Sequence, residues 1–160
     1  MKPRARTPGA GRAQREQIVV PAIKDGTVVD HIPPGATLKV VQILSRINDL
    51  VTIGINFPSA SMGHKGVVKI ANQFLTPREV DKIAVLAPAA TVNIIRGYKV
   101  REKVRVRIPA LVEGLVRCKN PACVTNHEAV RTKFRVLPGG REVECCYCER
   151  PERFGELELL

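Results

Sequence analysis

The stretch "TPREVDKIAVLAPAATVNIIRGYKV", residues 76–100, carries the clearest structural signals in this 160-residue chain. Thr76 and Glu79 form a Thr-x-x-Glu capping box, and Pro77 suits the first helical position, so a helix is predicted to begin here. Pro88 ends that helix. The β-branched run "TVNIIR" then predicts a strand, and after a glycine "YKVREKVRVRI" predicts a second, longer strand. The two strands form a predicted hairpin.

The residues before this stretch predict the same kinds of element. "TVVDHI" predicts a strand, and "QIVVPAI", residues 17–23, extends this β-rich signal toward the N-terminus. "LVTIGINF" and "VVKIANQF" predict two more strands, separated by a polar loop that contains glycine. Between the first and second of these lies "ATLKVVQILSRIN", which predicts a helix of about twelve residues. Its predicted apolar stripe is Leu38, Val41, Leu44 and Ile47, with Val40 and Ile43 beside it.

The order of these elements predicts the fold class. Strand, helix, strand, strand, helix and strand, with one appended strand, is the ferredoxin-like βαββαβ order, in which two helices cover one face of a mainly antiparallel sheet. We therefore expect an α+β protein whose N-terminal domain has this fold.

Composition and charge restrict the possible classes of protein. The chain has 44% hydrophobic and 26% charged residues, with a formal net charge of +11. Because no apolar run is long enough to span a membrane and no signal peptide is evident, we expect a cytoplasmic protein without membrane contact. Residues 1–16 are basic and almost free of apolar side chains, and we predict a disordered tail. An anion-binding or nucleic-acid-binding arm and a solvated extension are both open, and we favour the second.

Pro109 marks a predicted boundary between a domain over 17–109 and a second domain over 110–160. All five cysteines lie in the second domain, between Cys118 and Cys148. A domain of about fifty residues is rarely stable through its core alone and commonly recruits a metal. We therefore expect a small antiparallel-β zinc domain.

The cysteines form two close pairs, Cys118-x4-Cys123 and Cys145-x2-Cys148, about twenty residues apart. This spacing is typical of a structural Zn²⁺ site, in which each pair comes from a tight knuckle. In the cytoplasm thiols stay reduced, which favours a metal over disulfides. Because four thiolates leave no coordination position for water, we expect one structural zinc ion per chain.

Two other interpretations of the cysteines are open. The thiols could be buried apolar residues without a metal, or Cys145 and Cys148 could form a redox Cys-x-x-Cys pair. The redox interpretation lacks the strand-to-helix context that lowers the thiol pKa in such motifs. Cys146 lies between ligand positions and is interpreted as a bystander, and His127 is interpreted as a surface residue.

Several segments together point to one family. They are "GTVVDHIP", "TIGINFPS", "KIANQFL" and "APAATVNIIRGYKV" in the first domain, followed by "CKNPACVTNHE" and "CCYCE" in the second. In sequence and order they closely resemble the aspartate carbamoyltransferase regulatory chain, over about residues 17–155. The resemblance implies a noncatalytic subunit in pyrimidine biosynthesis, with a first domain that binds CTP and ATP as competing allosteric effectors. It also implies that the zinc domain contacts the catalytic chain and that homodimers of regulatory chains bridge catalytic trimers.

The resemblance further implies an effector site built from three segments. Lys103 is the implied principal phosphate ligand, His31 also meets the phosphates, Asp30 accepts hydrogen bonds from the ribose, and Lys69 lies near the ribose or base. The full implied set is Ala22, Ile23, Val28, Asp30, His31, Val67, Lys69, Asn93, Ile95, Tyr98, Val100 and Lys103.

The last predicted strand places several cations on one face. Strand alternation puts the following residues on one side: Lys99, Arg101, Lys103, Arg105 and Arg107. Such a face suits a triphosphate. The alternative is a solvated edge strand that its charges protect from aggregation, and without the family resemblance we would favour that alternative.

No catalytic constellation is evident. Asp30 and His31 are neighbours on a predicted strand and should point to opposite faces, and no nucleophile or second carboxylate completes a set. "MGHKG" has Gly66 where a phosphate-binding loop requires Ser or Thr. We therefore expect a regulator and not an enzyme. The alternative from another class is a zinc-ribbon nucleic-acid-binding protein, which the net charge and the basic tail favour, although we regard nucleic-acid binding as the weaker interpretation.

Overall fold

The computed structural model of this protein describes residues 21–44 and 48–160. The predicted basic tail, residues 17–20 of the first β-rich segment and residues 45–47 of the first predicted helix lie outside the described residues. Within the described ranges, no helix is both long enough and apolar enough to cross a bilayer.

The first unit is a five-stranded sheet with two helices. In chain order its elements are β1 (Gly26–Ile32), α1 (Thr37–Ile43), β2 (Val51–Ser59), β3 (Gly63–Ala71), α2 (Pro77–Leu86), β4 (Thr91–Arg96) and β5 (Lys99–Arg105). The strands lie in the order β2-β3-β1-β4-β5, and every neighbouring pair is antiparallel. The predicted ferredoxin-like arrangement with one appended strand is confirmed.

The core of this unit lies between the helices and one face of the sheet. β1 contributes Val29 and Ile32 to it, and β3 contributes Val68 and Ile70, all of them buried. Because side chains alternate along a strand, the intervening residues point to the opposite, open face of the sheet. The candidate binding residues lie on that open face.

Helix α1 differs from its prediction in length and in rotation. It has seven residues and ends at Ile43. Val40 and Ile43 are buried, whereas Leu38, assigned above to the apolar stripe, is 57% exposed. The start of the helix packs directly on β3, because Gly66 has no side chain; a Cβ there would lie 1.9 Å from Thr37 Oγ1. This close approach turns Thr37 inward and Leu38 outward.

Helix α2 begins as the capping box predicts. The backbone N–H of Glu79 donates to Thr76 Oγ1 over 3.3 Å, and the backbone N–H of Thr76 donates to Glu79 Oε2 over 2.8 Å. Pro77 is the first helical residue. These bonds satisfy two N–H groups that the helix itself leaves without acceptors, so the helix start is fixed locally.

The second unit consists of short antiparallel strands. They are β6 (Leu111–Glu113), β7 (Val116–Arg117), β8 (Lys133–Val136), β9 (Glu142–Cys145), β10 (Pro151–Arg153) and β11 (Glu158–Leu159). Four form a sheet in the order β10-β9-β8-β6, and β11 pairs with β7. Phe134 is buried at the centre, between Val112 on one neighbouring strand and Cys145 on the other. The predicted small antiparallel-β fold is confirmed.

Helix α2 belongs to both cores. Ile83 and Ala84 pack in the core of the first unit, whereas Val85, equally buried, packs in the core of the second. The helix also contacts the 3₁₀ turn Phe154–Glu156. Ile108, in the connection between the units, packs against both cores. The two units therefore share an apolar contact through one helix.

Candidate metal centre and effector face

The four predicted ligand cysteines converge in the second unit. The sulfur atoms of Cys118, Cys123, Cys145 and Cys148 all lie within 4.8 Å of one another. Two of these distances are 3.6 Å, between Cys118 and Cys148, and 3.8 Å, between Cys123 and Cys145. A tetrahedral Zn²⁺ with Zn–S bonds of about 2.3 Å requires neighbouring sulfurs about 3.8 Å apart. The sulfur arrangement therefore fits a four-thiolate metal site.

The thiol pKa values show what a metal would change. Burial raises the pKa of the Cys118 and Cys145 thiols. Burial acts in the same direction on Cys148, but hydrogen bonds from the side chain of Asn120, the backbone of Arg150 and neighbouring thiols lower its pKa to about 7. Because a metal binds the thiolate form, its binding would release protons from the buried thiols.

Several polar contacts hold the ligand loops. The Thr125 hydroxyl lies 3.2 Å from Cys123 Sγ. Asn126 Nδ2 donates to the carbonyl oxygens of Cys118 and Asn120, over 2.8 Å in each case. The buried Glu152 accepts the backbone N–H of Lys119 at Oε1 over 3.0 Å. Polar groups next to the ligands thus fix the conformation of the first loop, between Cys118 and Cys123.

Cys146 and His127, which were not predicted to be ligands, lie outside the sulfur cluster. Cys146 is exposed, and its backbone N–H donates to the Lys133 carbonyl over 2.9 Å. His127 is exposed, and its Nε2 lies 2.6 Å from the carbonyl oxygen of Pro121. The structure therefore places both away from the four converging sulfurs.

The open face of the five-stranded sheet collects most of the implied effector residues. Residues directly opposite each other in an antiparallel pair have their side chains on the same face. Val28 is opposite Lys69 on β3 and Asn93 on β4, and Asn93 is in turn opposite Lys103 on β5. These four residues form a row across four strands, with a lysine at each end.

A bulge in β1 brings Asp30 and His31 to one face, contrary to the expectation that they point apart. The register against β3 advances by three residues from Val29 to Ile32, but by only two from Val68 to Gly66, so both residues are opposite Val67. His31 has a backbone φ of 59°. Its Nδ1 lies 3.4 Å from the Asp30 carboxylate and 3.4 Å from the Thr91 hydroxyl.

Asp30 is held as a carboxylate by Lys65. Lys65 Nζ lies 2.8 Å from Oδ1 and 2.9 Å from Oδ2 of Asp30. Burial on its own would raise the pKa of Asp30, but the hydrogen bonds from Lys65 and the His31 backbone, with the nearby positive charges, lower it. Lys65 was not among the implied residues. Its role depends on the cross-strand register, which no motif in the sequence reveals.

A bulge in β5 changes the expected distribution of cations. Ile94 is opposite Glu102 but Ile95 is opposite Val100, so Arg101 is the extra residue. Val100 and Lys103 consequently share the open face, although they are three residues apart. The expectation that five cations lie on one side is wrong: Lys99 is opposite Arg96 on the other face, and only Lys103 and Arg105 are opposite the open-face residues Asn93 and Thr91.

The remaining implied residues lie near the β4–β5 turn. Ile23 and Ile95 are buried but belong to neither apolar core. Tyr98 is 65% exposed, and its backbone N–H donates to the Lys24 carbonyl over 2.8 Å, which ties the segment before β1 to this turn. Ala22 is exposed. The implied base-binding residues therefore surround one end of the open face.

Comparison with known families follows this division into two units. A family model described as the aspartate carbamoyltransferase regulatory chain, allosteric domain, matches residues 18–107, and one described as the metal binding domain of the same chain matches residues 110–158. The protein belongs to the family of aspartate carbamoyltransferase regulatory chains.

Curated relatives agree along most of this regulatory chain. The regulatory chain of Pyrococcus abyssi is 51% identical over 142 residues, covering 84% of this chain and 91% of the relative. The regulatory chains of Methanoregula boonei and Porphyromonas gingivalis are 47% and 44% identical, covering 87% and 92% of this chain and 87% and 99% of each relative.

Family membership confirms the predicted class of protein. The chain is a noncatalytic regulatory subunit, with an allosteric domain and a metal-binding domain, of an enzyme of pyrimidine biosynthesis. The four cysteines are positioned to bind a metal in the second of these domains.

Proposed function

We propose that this regulatory chain binds CTP and ATP in competition on the open face of its five-stranded sheet, and so controls catalytic chains of aspartate carbamoyltransferase. The observation that carries the proposal is the cross-strand row Lys69, Val28, Asn93 and Lys103. It combines an apolar residue, an amide and two cations on one surface. A nucleotide requires this combination, because its base and sugar need packing and hydrogen bonds while its phosphates need positive charge.

Roles within the site follow from position. Lys103 and Arg105 on β5 bind the phosphates, together with His31. Asp30, kept ionised by Lys65, accepts hydrogen bonds from the ribose hydroxyls. The base lies at the end of the open face next to the β4–β5 turn. It is enclosed there by Ala22, Ile23, Ile95, Tyr98 and Val100, and Val67 lies beneath the sugar. In this arrangement Lys65 orients Asp30 rather than contacting the nucleotide.

We also propose that the four cysteines hold one Zn²⁺ per chain and that this ion is structural. A closed set of four sulfurs leaves no open position for water or substrate, and Zn²⁺ supplies strong tetrahedral cross-linking of thiolates. The described second unit has a small core, so metal binding would contribute directly to its folding. Cytoplasmic thiols would stay reduced and available to the ion.

The two edges of the sheet support a homodimer of regulatory chains. At one edge, β5 carries charges at five of its seven positions, the pattern that protects an edge strand from pairing. At the other, β2 has nine residues without a charged side chain, and Ile53 and Ile55 are 41% and 43% exposed. An uncharged apolar edge favours pairing, so we place the contact with the second copy at β2.

The two units would then divide the regulatory task. The boundaries of the proposed domains are 17–109 for effector binding and 110–160 for the metal and the contact with the catalytic chain. Homodimers at the effector domains allow the metal domains to reach two catalytic trimers. Nucleotide binding changes the orientation of the metal domain through the shared packing at α2. A coupling free energy of about 1–3 kcal/mol is typical of such regulation.

Lys103→Ala tests the effector site. Loss of a charged hydrogen bond to phosphate of about 1.5–3 kcal/mol should weaken CTP and ATP binding by roughly 10- to 150-fold, measured by titration calorimetry on the zinc-loaded chain. Lys99→Ala is the matched control, because it removes the same charge from the same strand on the opposite face. Equal effects of the two substitutions, or no effect of either, would refute the assignment.

Titration of DNA or RNA into the same zinc-loaded chain distinguishes the regulatory function from the alternative, a nucleic-acid-binding protein. A nucleic-acid-binding protein would bind DNA or RNA with an affinity that falls steeply with salt, and would bind it without any catalytic chain. We expect saturable nucleotide binding with one site per chain and no such salt-dependent binding of polynucleotide.

A further inference from the structure

We propose that Glu152 is a positioning residue for the metal centre: its carboxylate holds the first ligand loop, Cys118–Cys123, against the strand that follows the second. This inference rests on the metal binding proposed above. Oε1 of Glu152 accepts the backbone N–H of Lys119, the residue directly after ligand Cys118, over 3.0 Å. Glu152 lies on β10, shortly after ligand Cys148.

The contact spans the two halves of the site. β10 pairs with β9, the strand that ends at Cys145, and Glu152 is opposite Val143 in that pair. The Glu152–Lys119 hydrogen bond therefore ties the first ligand loop to the sheet that carries the second. Among the described residues, this is the one side-chain hydrogen bond between the two segments that does not involve a ligand sulfur.

The burial of Glu152 indicates that the contact is its main role. The residue is only 8% exposed, and its second oxygen, Oε2, is buried without a hydrogen-bond partner in the described part of the chain. A buried acceptor without a partner costs free energy. A carboxylate at this position does not serve to fill space, because an apolar side chain would do so without that cost. The bond to Lys119 is the interaction that offsets it.

The first loop needs support from both of its sides. On one side, Asn126 donates to the carbonyl oxygens of Cys118 and Asn120. On the other side, Glu152 accepts the backbone N–H of Lys119. These two contacts hold the backbone next to Cys118, in the arrangement in which the Cys118 and Cys123 sulfurs lie within 4.8 Å of the second pair. Groups that orient metal ligands in this way typically change metal affinity by 10- to 100-fold when they are removed.

The position of the acceptor can be separated from its charge by two substitutions. Glu152→Gln keeps a side-chain oxygen at the same distance from the backbone but removes the charge. Glu152→Asp keeps the charge but withdraws the oxygen by one methylene, beyond reach of the Lys119 N–H. Glu156→Ala is the control, because Glu156 is exposed in the same groove and forms no ion pair with the residues that the structure describes.

The experiment measures Zn²⁺ affinity of the full chain by chelator competition, and the absorption of the Co²⁺-substituted chain, which reports ligand geometry. We expect Glu152→Asp and Glu152→Ala to weaken Zn²⁺ binding by about 10- to 100-fold and to shift the Co²⁺ bands. Glu152→Gln should stay within about threefold of the unsubstituted chain, and Glu156→Ala should be unchanged.

Two results would overturn the proposal. One is wild-type affinity and Co²⁺ absorption in Glu152→Asp and Glu152→Ala; the other is a loss in Glu152→Gln equal to the loss in Glu152→Asp. If Glu152→Ala does not fold, the comparison of Gln with Asp decides alone. Failure of the unsubstituted chain to form a tetrahedral Co²⁺–thiolate spectrum would instead refute the metal site itself, and this inference with it.

Discussion

Val85 offers a direct test of coupling between the two units. It lies on α2 of the first unit, yet its buried side chain packs in the core of the second. Val85→Ala removes the equivalent of two methylene groups, worth about 0.8 kcal/mol each on burial. With a small cavity left behind, the total loss is about 2 kcal/mol. This loss should fall on the second unit, although the substitution is in the first.

Amide hydrogen exchange followed by mass spectrometry locates the loss. A decrease of about 2 kcal/mol in local stability corresponds to roughly 30-fold faster opening. We expect faster exchange in β8 and β9 of Val85→Ala, with zinc loaded throughout. The matched control is Val92→Ala, which makes the same chemical change at a buried site in the core of the first unit. It should leave exchange in β8 and β9 unchanged.

Either of two outcomes would contradict a role of Val85 in stabilising the second unit. If Val85→Ala accelerates exchange only within α2, the packing between the units contributes nothing to the stability of the second unit. If Val92→Ala accelerates exchange in β8 and β9 as much as Val85→Ala does, the chain opens as a single cooperative unit and Val85 has no special place.

Two further predictions concern the first unit. Gly26 has φ 136°, and a Cβ there would lie 2.1 Å from the Ile70 carbonyl oxygen, so Gly26→Ala should destabilise the chain by about 3 kcal/mol or more. The control is Gly35→Ala, which should leave the melting temperature nearly unchanged because a Cβ at Gly35 has no neighbouring atom within 4 Å. Similar losses in both variants would contradict the close approach of Gly26 to β3. The pKa of Asp30 is lowered in the folded chain, so its ionisation stabilises the fold above about pH 4, and that contribution is lost as pH falls through the lower folded pKa. The difference in melting temperature between the unsubstituted chain and Lys65→Met should accordingly be full at neutral pH and shrink below about pH 4; a difference independent of pH would exclude this role of the ion pair.

Much of the first unit was predictable because its signals are local. The capping box at Thr76 and Glu79 placed the start of α2 correctly, and β-branched runs located the strands. From the order of elements, general rules of sheet topology then give the ferredoxin-like arrangement. The rotation of α1 was not predictable in this way. It depends on a contact between Thr37 and Gly66, which are far apart in sequence.

On the open face, two predictions made from strand alternation failed. Alternation placed Asp30 and His31 on opposite faces and five cations of the last strand on one face, and both expectations were wrong. Bulges in β1 and β5 shift the alternation by one residue. A bulge is a property of the pairing of two strands, so a single strand's sequence does not reveal it. Lys65 was missed for the same reason.

In the metal centre, too, the local features were predictable from the sequence and the long-range contacts were not. The spacing of the cysteine pairs predicted which four sulfurs converge, because a knuckle brings its two ligands together locally. It could not predict that Asn126 and Glu152 support the first ligand loop. Those contacts join residues that only the folded chain brings together.

The most direct test of the account is reconstitution with the catalytic trimer of aspartate carbamoyltransferase. The zinc-loaded chain is mixed with the trimer, and aspartate saturation is measured with CTP, with ATP and without nucleotide, alongside the metal-free chain. We predict a complex only with zinc, and nucleotide-dependent shifts in half-saturation of roughly 5- to 150-fold. In Lys103→Ala the same shifts should require roughly 10- to 150-fold more nucleotide, while assembly persists. No complex with zinc bound, or a complex whose aspartate saturation ignores both nucleotides, would contradict it.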